Sequence, residues 1–345
     1  MNDKEFLRTV DANTNRLCEG LRVVEDLCRF FLDKADIAKA LRKIRHSVRR
    51  EISRTCPLIE SFRNTEADVG KKFPPGKKHT GPADLLRSNI NRIQESLRVL
   101  EENTRCFAPP LAPKLGQYRY ETYELEKKIL CCLSRTEKAA RLGVYLLVTE
   151  TLCTVSWEET LRQAIGGGAG AIQVREKERP DREILAYADR ARALTDKSDT
   201  LLIVNDRPDI ATATGADGAH LGQEDLSAAA ARSVLPPTAL LGISTHSMPE
   251  ARNAEKEGAD YVGAGPVAET ETKPGRRAAG LGYIRSVINS VNVPVTAIGG
   301  ITRVNAAKVL ETGVRSLCIC RAVLESENIE KEVAFYRKLI EENLP

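Results

Sequence analysis

The sequence is short of the features that mark several large classes of protein. No apolar run reaches the roughly 20 residues that a membrane-spanning helix needs, so we expect no membrane protein. The nine cysteines form no Cys-x-x-Cys pair, which argues against a zinc site or a disulfide framework and predicts reduced thiols. The formal net charge is only +4, so we expect neither a nucleic-acid partner nor polybasic membrane binding. The first residues, MNDKEFLRTV, lack the apolar stretch of a signal peptide, and we therefore expect a cytoplasmic protein.

The chain also lacks a P-loop, and no Gly-x-Gly-x-x-Gly motif follows its first predicted strand. Of its 345 residues, 42% are hydrophobic and 29% are charged, a composition typical of globular proteins. The length is sufficient for one large domain and a smaller one. Residues 1–135 are rich in Arg and Glu and predict helices, interrupted by a Gly/Pro/Lys-rich loop at 69–83. Residues 136–345 alternate short apolar strands with amphipathic helices. We therefore predict two domains, 1–135 and 136–345.

The helical domain contains an internal repeat. NTNRLCEGLRVVEDLCRFF starts at Asn13, and NINRIQESLRVLEENTRCF starts at Asn89, 76 residues further on. At helical spacing, each copy places Asn, Glu and Arg on the face opposite its apolar stripe. These residues are Asn15, Glu19 and Arg22 in the first copy and Asn91, Glu95 and Arg98 in the second. They are either a ladder of ion pairs, Glu19 with Arg22 and Asp26 with Arg29, or the ligands of one shared anion.

The second domain predicts eight strands, each followed by a helical pattern. The predicted strands are Gly143–Val148, Ala171–Arg175, Leu201–Val204, Gly218–Leu221, Leu240–Ile243, Tyr261–Ala264, Val293–Ala297 and Ser316–Ile319. The clearest predicted helices are Ser156–Ile165, Arg182–Thr195, Met248–Lys256 and Val304–Thr312. Eight βα units in about 200 residues predict an α/β fold, a (β/α)₈ TIM barrel, preceded by the all-α domain.

Carboxylates follow two successive strands of the predicted barrel. Asp206 comes directly after the third strand, and Asp225 lies just past the fourth. Because the carboxyl ends of barrel strands share one mouth, the two acids are expected to lie close together. Oxygen ligands of this kind suit Mg²⁺, which takes one or two carboxylates together with substrate phosphates. The alternative is that each Asp only caps the helix that follows it.

The end of the second strand is basic. It carries Gln173, Arg175 and Lys177 at alternate positions, which would place two cations and an amide in the mouth. The fifth strand runs into Ser244-Thr-His246, and His220 lies within the fourth. Either histidine would contact a ligand or be a buried, hydrogen-bonded core residue.

Three further segments border the predicted mouth. A polar loop after the sixth strand is too long for a routine connection and predicts a lid over the substrate; it carries Thr270, Thr272 and Lys273. The seventh strand ends in Ile298-Gly-Gly300-Ile and the eighth in Cys320-Arg321, where barrels commonly bind phosphate through backbone N–H groups. The pattern therefore predicts two anion sites, one held by the last two turns and one by the basic second strand, Lys273 and a metal.

These motifs together resemble the thiamine-phosphate synthase family from Leu142 to the last residue. They are Gln-Val-Arg-Glu-Lys, Val-Asn-Asp, Asp-Gly-x-His-Leu-Gly-Gln-Glu-Asp, Gly-Ile-Ser-Thr-His, Asp-Tyr-Val-Gly-x-Gly-Pro, Thr-x-Thr-Lys-Pro and Ile-Gly-Gly-Ile. The family joins an aminopyrimidine, hydroxymethylpyrimidine diphosphate, to hydroxyethylthiazole phosphate and releases pyrophosphate, giving thiamine phosphate. The alternative for the barrel, a thiazole-phosphate tautomerase, would need neither the acid pair nor the basic second strand.

The resemblance implies a role for each matching residue. The pyrimidine diphosphate would be held by Gln173, Arg175, Lys177, Asn205, Ser244 and Lys273, with Val174 and Glu176 in the same run. Mg²⁺ would be held by Asp206 and Asp225. The thiazole phosphate would be held by Thr270, Thr272, Gly300, Cys320 and Arg321, with Glu271 in the same loop, and Arg321 stands where the family often has Ser. The resemblance also implies that catalysis depends on Arg175, Lys177, Lys273 and Ser244. These residues would assist a dissociative loss of pyrophosphate.

Residues 1–130 resemble a small helical domain that is found fused to such synthases. The matching stretches are the two Asn-x-Asn-Arg repeats, together with two further segments, Leu41–His46 and Ser61–Gly70. That family has been associated with phosphorylating hydroxymethylpyrimidine phosphate to the diphosphate, which would make ATP a substrate here and the protein multifunctional. The alternative is a non-catalytic module for dimerisation or regulation. The expected partners are small-molecule substrates, and assembly into a homo-oligomer stays open.

Overall fold

The computed structural model describes residues 3–63, 78–269 and 278–343. The chain divides into two compact units, Met1–Leu133 and Ser134–Pro345. Within the described part, no helix combines the length and the apolar character needed to cross a bilayer. None of the nine cysteines forms a disulfide.

The first unit is helical, as its periodicity predicts. The helices that begin in it are α1 (Asp3–Phe30), α2 (Ala35–Thr55), α3 (Pro82–Phe107) and α4 (Ala112–Ala139), with a 3₁₀ turn at Ile59–Phe62. The predicted apolar stripe of α1 consists of Leu17, Leu21, Val24 and Cys28. It is fully buried and forms a core with matching residues of α3. Most of the predicted loop at 69–83 lies outside the described residues. Its described part, 78–81, contains neither helix nor strand, and Pro82 already begins α3.

Repeat-related polar residues are buried in this unit. Asn13 and Asn89 each donate from Nδ2 to the carbonyl four residues earlier, at 2.9 and 2.8 Å. Glu25 and Glu101, also 76 residues apart, have side chains that are only 0% and 8% exposed. Burial of a carboxylate is costly unless it is paired, so each glutamate needs cations close by.

Each buried glutamate is held by arginines. Glu25 accepts from Arg42 and Arg45 of α2, at 2.8 Å each. Glu101 accepts from Arg119 of α4 at 3.0 Å and from Arg105 of its own helix at 2.8 Å. The internal repeat therefore extends to a buried, charge-assisted contact between the two helices of each copy.

The second unit contains the predicted barrel. Its described residues form eight parallel strands in the closed order β1 to β8. The strands are β1 (Val144–Val148), β2 (Ala171–Val174), β3 (Leu201–Asn205), β4 (Gly218–Leu221), β5 (Leu240–Thr245), β6 (Tyr261–Ala264), β7 (Val295–Ile298) and β8 (Ser316–Ile319). The fold class is thus confirmed, and the closed register places the carboxyl ends of all these strands at one rim.

Two strand boundaries differ from the prediction by two residues, and the others agree to within one residue. β5 continues to Thr245 because Ser244 and Thr245 still pair with Gly263 and Ala264 of β6. β7 begins only at Val295, since the preceding Pro294 has no N–H to give to a ladder. Ser244 is therefore part of a strand, which makes its position more rigid than a loop would.

Helices cover the outside of the barrel. They are α5 (Trp157–Gly166), α6 (Asp181–Thr195), α7 (Pro208–Ala213), α8 (Ala228–Val234), α9 (Met248–Lys256), α10 (Gly280–Ile288), α11 (Ala306–Leu310), α12 (Arg321–Leu324) and α13 (Ile329–Glu342). Alternate strand residues face opposite sides, so Leu146 and Ile172 join the core under the helices while Tyr145 and Tyr261 belong to the core inside the barrel.

Candidate active site

A cavity of about 310 Å³ opens at the carboxyl rim of the barrel. Several residues that the sequence predicts to bind substrate line it together: Gln173, Arg175, Asn205, Ser244, Gly300, Cys320 and Arg321. His220 and His246 line it as well. A volume of this size with few convergent polar groups is typical of a small-molecule site.

Other predicted residues lie elsewhere. The side chain of Val174 is buried in the core between strands and helices. Glu176 is also buried, and its Oε1 accepts from the backbone N–H of Glu150 at 2.7 Å. Burial raises the pKa of Glu176, although this backbone hydrogen bond opposes the shift. Any contact of these two residues with a substrate would therefore use their main chains. Thr270, Glu271, Thr272 and Lys273 lie outside the described residues.

Asp206 and Asp225 form an acid pair. Burial raises the pKa of Asp206, and the hydrogen-bonded carboxyl of Asp225 raises it further. Lys177 opposes both effects, because its Nζ lies 3.2 Å from Asp206 Oδ2. Two carboxylates this close repel each other when both are ionised, and a cation between them removes that repulsion.

Neither acid acts as a helix cap. The N-cap of α7 is Arg207, which makes no side-chain capping bond, and the N-cap of α8 is Ser227, whose hydroxyl accepts from the backbone of Ala230. Asp225 instead accepts from the Gly222 N–H at 2.6 Å. Asp206 has a φ of +60°, a left-handed conformation that Asp and Asn tolerate better than most residues. The capping interpretation of the acid pair is therefore excluded.

Arg175 is a cation in the cavity lining. Its Nε is buried and has no hydrogen-bond partner among residues 3–63, 78–269 and 278–343, and the side chain lines the cavity. A buried guanidinium N–H without a partner carries a desolvation cost that a phosphate oxygen would remove.

The turn after β7 brings main chain to the cavity. Gly299 and Gly300 both have positive φ, +92° and +67°. A Cβ on Gly300 would lie 2.8 Å from the carbonyl oxygen of Glu269 and 2.9 Å from that of Ala268, so this position requires glycine. Asn305 donates to the Gly300 carbonyl at 2.7 Å and supports the turn. Cys320 and Arg321 border the same part of the cavity at the start of α12.

The histidines are both hydrogen-bonded. His220 is buried between Tyr261 and Ser244, at 3.1 and 2.9 Å. His246 Nδ1 lies 2.6 Å from the Gly265 carbonyl oxygen. The two tyrosines near His220, Tyr145 and Tyr261, were not singled out from the sequence. The available signal was that each tyrosine occupies an inward-facing position on a strand. In a sequence, however, such a tyrosine is indistinguishable from an ordinary core residue.

The polar face that the two copies of the helical repeat share is mainly an ion-pair face. The exposed residues are Glu19, Arg22, Asn91, Glu95 and Arg98, and Asn15 is half-buried beside Asp11. Arg22 pairs with Glu25 and Asp26 at 3.7 and 3.1 Å, and Arg98 pairs with Glu101 and Glu102 at 3.4 and 2.9 Å. The pairs expected from the sequence, Glu19 with Arg22 and Asp26 with Arg29, are thus replaced in the described helices. Each repeat arginine pairs with the buried glutamate three residues on and with a partly exposed acid four residues on.

The geometry agrees with comparisons to known proteins. Residues 144–323 match the family model described as thiamine monophosphate synthase, and residues 8–128 match that of the ThiD2 family. A thiamine-phosphate synthase of Gloeobacter violaceus is 38% identical over 336 residues, covering 97% of this chain and 96% of the relative. One of Synechocystis sp. is 36% identical over 327 residues, covering 93% and 92%. A solved thiamine phosphate pyrophosphorylase of Pyrococcus furiosus is 40% identical, with a TM-score of 0.56, and covers 60% of this chain and 99% of that chain.

Proposed function

The chain belongs to the thiamine-phosphate synthase family, and we propose that its barrel carries out the synthase reaction with the cavity residues described above. The observation that supports this most is the acid pair of Asp206 and Asp225 beside Lys177. Asp206 directly follows Asn205, which lines the cavity together with Arg175 and the Gly300 turn. The C–O bond to pyrophosphate would break in a dissociative step, and the thiazole nitrogen would form a C–N bond to the methylene carbon of the pyrimidine.

Charged and neutral residues of the site are proposed to have different roles. Arg175 and Lys177 would neutralise negative charge that develops on the departing pyrophosphate, which is electrostatic catalysis without a protein nucleophile. Lys273 is proposed for the same task from its sequence position. Gln173, Asn205 and Ser244 would orient the pyrimidine. The Gly300 turn and the start of α12 would hold the thiazole phosphate through backbone N–H groups.

The donor set at the acid pair fits Mg²⁺. Two neighbouring carboxylates supply hard oxygen ligands, and Mg²⁺ commonly completes its octahedral shell with waters and substrate phosphates. When bound by Asp206 and Asp225, Mg²⁺ would supply positive charge that makes pyrophosphate a better leaving group.

The direct test supplies the whole chain with pyrimidine diphosphate, thiazole phosphate and Mg²⁺. Thiamine phosphate and pyrophosphate should form in equal amounts. Interconversion of thiazole phosphate tautomers without any condensation would contradict the proposal and favour the tautomerase alternative.

The two anion sites should respond to different substitutions. Gly300→Ala places a methyl group against two carbonyl oxygens and should raise the KM for thiazole phosphate about tenfold, with less effect on the KM for pyrimidine diphosphate. Lys273→Ala should do the reverse. Gly313→Ala is a matched control, because Gly313 also has a positive φ, +94°, but its Cβ would meet open space. Equal changes for both substrates in both variants would argue against separate anion sites.

For the helical unit we propose ATP-dependent phosphorylation of hydroxymethylpyrimidine phosphate, which would supply the barrel with its substrate. The match of residues 8–128 to the ThiD2 family supports this assignment. The alternative is a dimerisation or regulatory module. With ATP and the pyrimidine monophosphate in place of the diphosphate, the whole chain should still form thiamine phosphate.

The repeat arginines separate these alternatives. If Arg22 and Arg98 hold a phosphorylated ligand, Arg22→Ala and Arg98→Ala should abolish the ATP-dependent route and leave synthesis from supplied diphosphate unchanged. Arg29→Ala, which removes an exposed arginine of the same helix, is the control. If the wild-type chain uses only preformed diphosphate and ignores ATP, the module interpretation replaces the kinase interpretation.

A further inference from the structure

A chain of hydrogen bonds crosses the interior of the barrel and joins two cavity residues. Gln173 Nε2 donates to the hydroxyl of Tyr145 at 2.7 Å, and the hydroxyls of Tyr145 and Tyr261 lie 2.8 Å apart. The Tyr261 hydroxyl lies 3.1 Å from His220 Nδ1, and His220 Nε2 lies 2.9 Å from Ser244 Oγ. All five side chains are buried. This set is called the interior relay below.

Two glycines make room for the interior relay. A Cβ on Gly242 of β5 would lie 2.1 Å from Tyr261 Cζ and 2.5 Å from His220 Nδ1. A Cβ on Gly263 of β6 would lie 3.1 Å from His220 Cε1. Any side chain at Gly242 would therefore displace the contact between His220 and Tyr261. At these two positions glycine leaves free the space that the interior relay occupies. This indicates that the geometry of the relay is specified by the sequence.

Every link of the interior relay is satisfied when its protons point from Gln173 toward Ser244. Burial raises the pKa of both Tyr145 and Tyr261, so each hydroxyl keeps its one proton. In this arrangement Tyr145 accepts from Gln173 and donates to Tyr261, and Tyr261 donates to His220 Nδ1. His220 then donates from Nε2 to Ser244.

The direction of the relay decides what its two ends offer to a ligand. Gln173 uses its N–H within the relay and keeps its carbonyl oxygen as an acceptor. Ser244 accepts from His220 and keeps its own O–H as a donor. An amide of Gln173 turned to accept from Tyr145 favours the opposite direction in the other links, and this couples the two ends.

We propose that the interior relay sets the hydrogen-bonding polarity of the pyrimidine subsite, with Tyr145, Tyr261 and His220 as positioning residues. An acceptor at Gln173 and a donor at Ser244 are complementary to an aminopyrimidine, whose amino group donates and whose ring nitrogen accepts. An analogue with an oxo group in place of the amino group presents the opposite pattern and is disfavoured. This inference rests on the proposed function, because it takes the cavity to bind the pyrimidine diphosphate.

Tyr145→Phe and Tyr261→Phe each remove one link and keep the packed ring. The dissociation constants of the amino and oxo pyrimidine diphosphates are measured by calorimetry with Mg²⁺ and without thiazole phosphate. The wild-type chain should prefer the amino compound, and each variant should lower that preference about tenfold, since one mismatched hydrogen bond is worth about 1.4 kcal/mol. Tyr336→Phe is the matched control: Tyr336 is fully buried but lies in α13, outside the cavity lining.

Thermal melting of each variant and wild-type turnover complete the test. An unchanged amino-to-oxo ratio in both folded variants would overturn the inference, as would equal affinity of the wild-type chain for the two compounds. Loss of the folded state in both variants would also overturn it, because the relay would then support the fold rather than selection. Failure of the proposed function is seen separately, as absence of thiamine phosphate in the wild-type assay.

Discussion

Asp206→Asn and Asp225→Asn are each expected to lower turnover about a hundredfold or more, the loss typical of removing one electrostatic group from an active site. The reason is that each change removes one of two carboxylates that would hold Mg²⁺, and an amide is a much weaker ligand for this ion. The backbone should not suffer. Asn tolerates the left-handed φ of +60° at Asp206, and at Asp225 it can still accept from the Gly222 N–H.

The measurement is kcat at several Mg²⁺ concentrations, together with the melting temperature. Asp209→Asn is the matched control, because Asp209 lies in the first turn of α7 and pairs with Arg207 rather than with the acid pair. Unchanged turnover of both acid-pair variants at saturating Mg²⁺ would remove the metal assignment.

Glu25→Gln and Glu101→Gln are expected to destabilise the helical unit by about 2 kcal/mol each. Both carboxylates are buried against arginines, and loss of the charge leaves partly buried guanidinium groups without their counter-ions. The arginines Arg45 and Arg119 are only 14% and 12% exposed, so water compensates them poorly. Urea unfolding of the whole chain, followed by far-ultraviolet circular dichroism, measures the loss.

The same carboxylates should make folding stability depend on pH. Burial alone would raise the pKa of each, but hydrogen bonds from Arg45 and Arg42 hold the pKa of Glu25 below its ordinary 4.5, and Arg119 does the same for Glu101. A carboxylate whose pKa is lowered in the folded state stabilises the fold at pH values above its ordinary pKa. This contribution is lost as the pH falls through the pKa of the folded state. The Gln variants should lose part of this acid dependence. Glu19→Gln and Glu95→Gln, at exposed positions of the same repeat, should retain it, and equal behaviour of all four variants would contradict the assignment.

Local pattern in the sequence was sufficient to predict the barrel. Strand length, β-branched apolar runs and helical periodicity are properties of short segments, and they predicted each strand of the described barrel to within two residues at either end. The closed barrel then brings strand ends together by geometry. That is why Gln173, Arg175, Ser244 and the Gly300 turn could be expected around one cavity from pattern alone, whereas Asn205 was expected there from the family resemblance.

Only the tertiary structure decided which polar groups touch. Tyr145 on β1 and Tyr261 on β6 are 116 residues apart and meet because the barrel closes; in the sequence each is one more core residue. Glu25 and Glu101 stand at matching repeat positions, yet their burial depends on arginines from α2 and α4 that no local pattern pairs with them. Likewise the sequence left Asp206 and Asp225 open to a capping role, and the structure excluded it by showing Arg207 and Ser227 at those helix starts. Periodicity is set by neighbours along one chain segment. A hydrogen bond between side chains instead requires a donor and an acceptor from distant segments to be placed with a precision of a few tenths of an ångström.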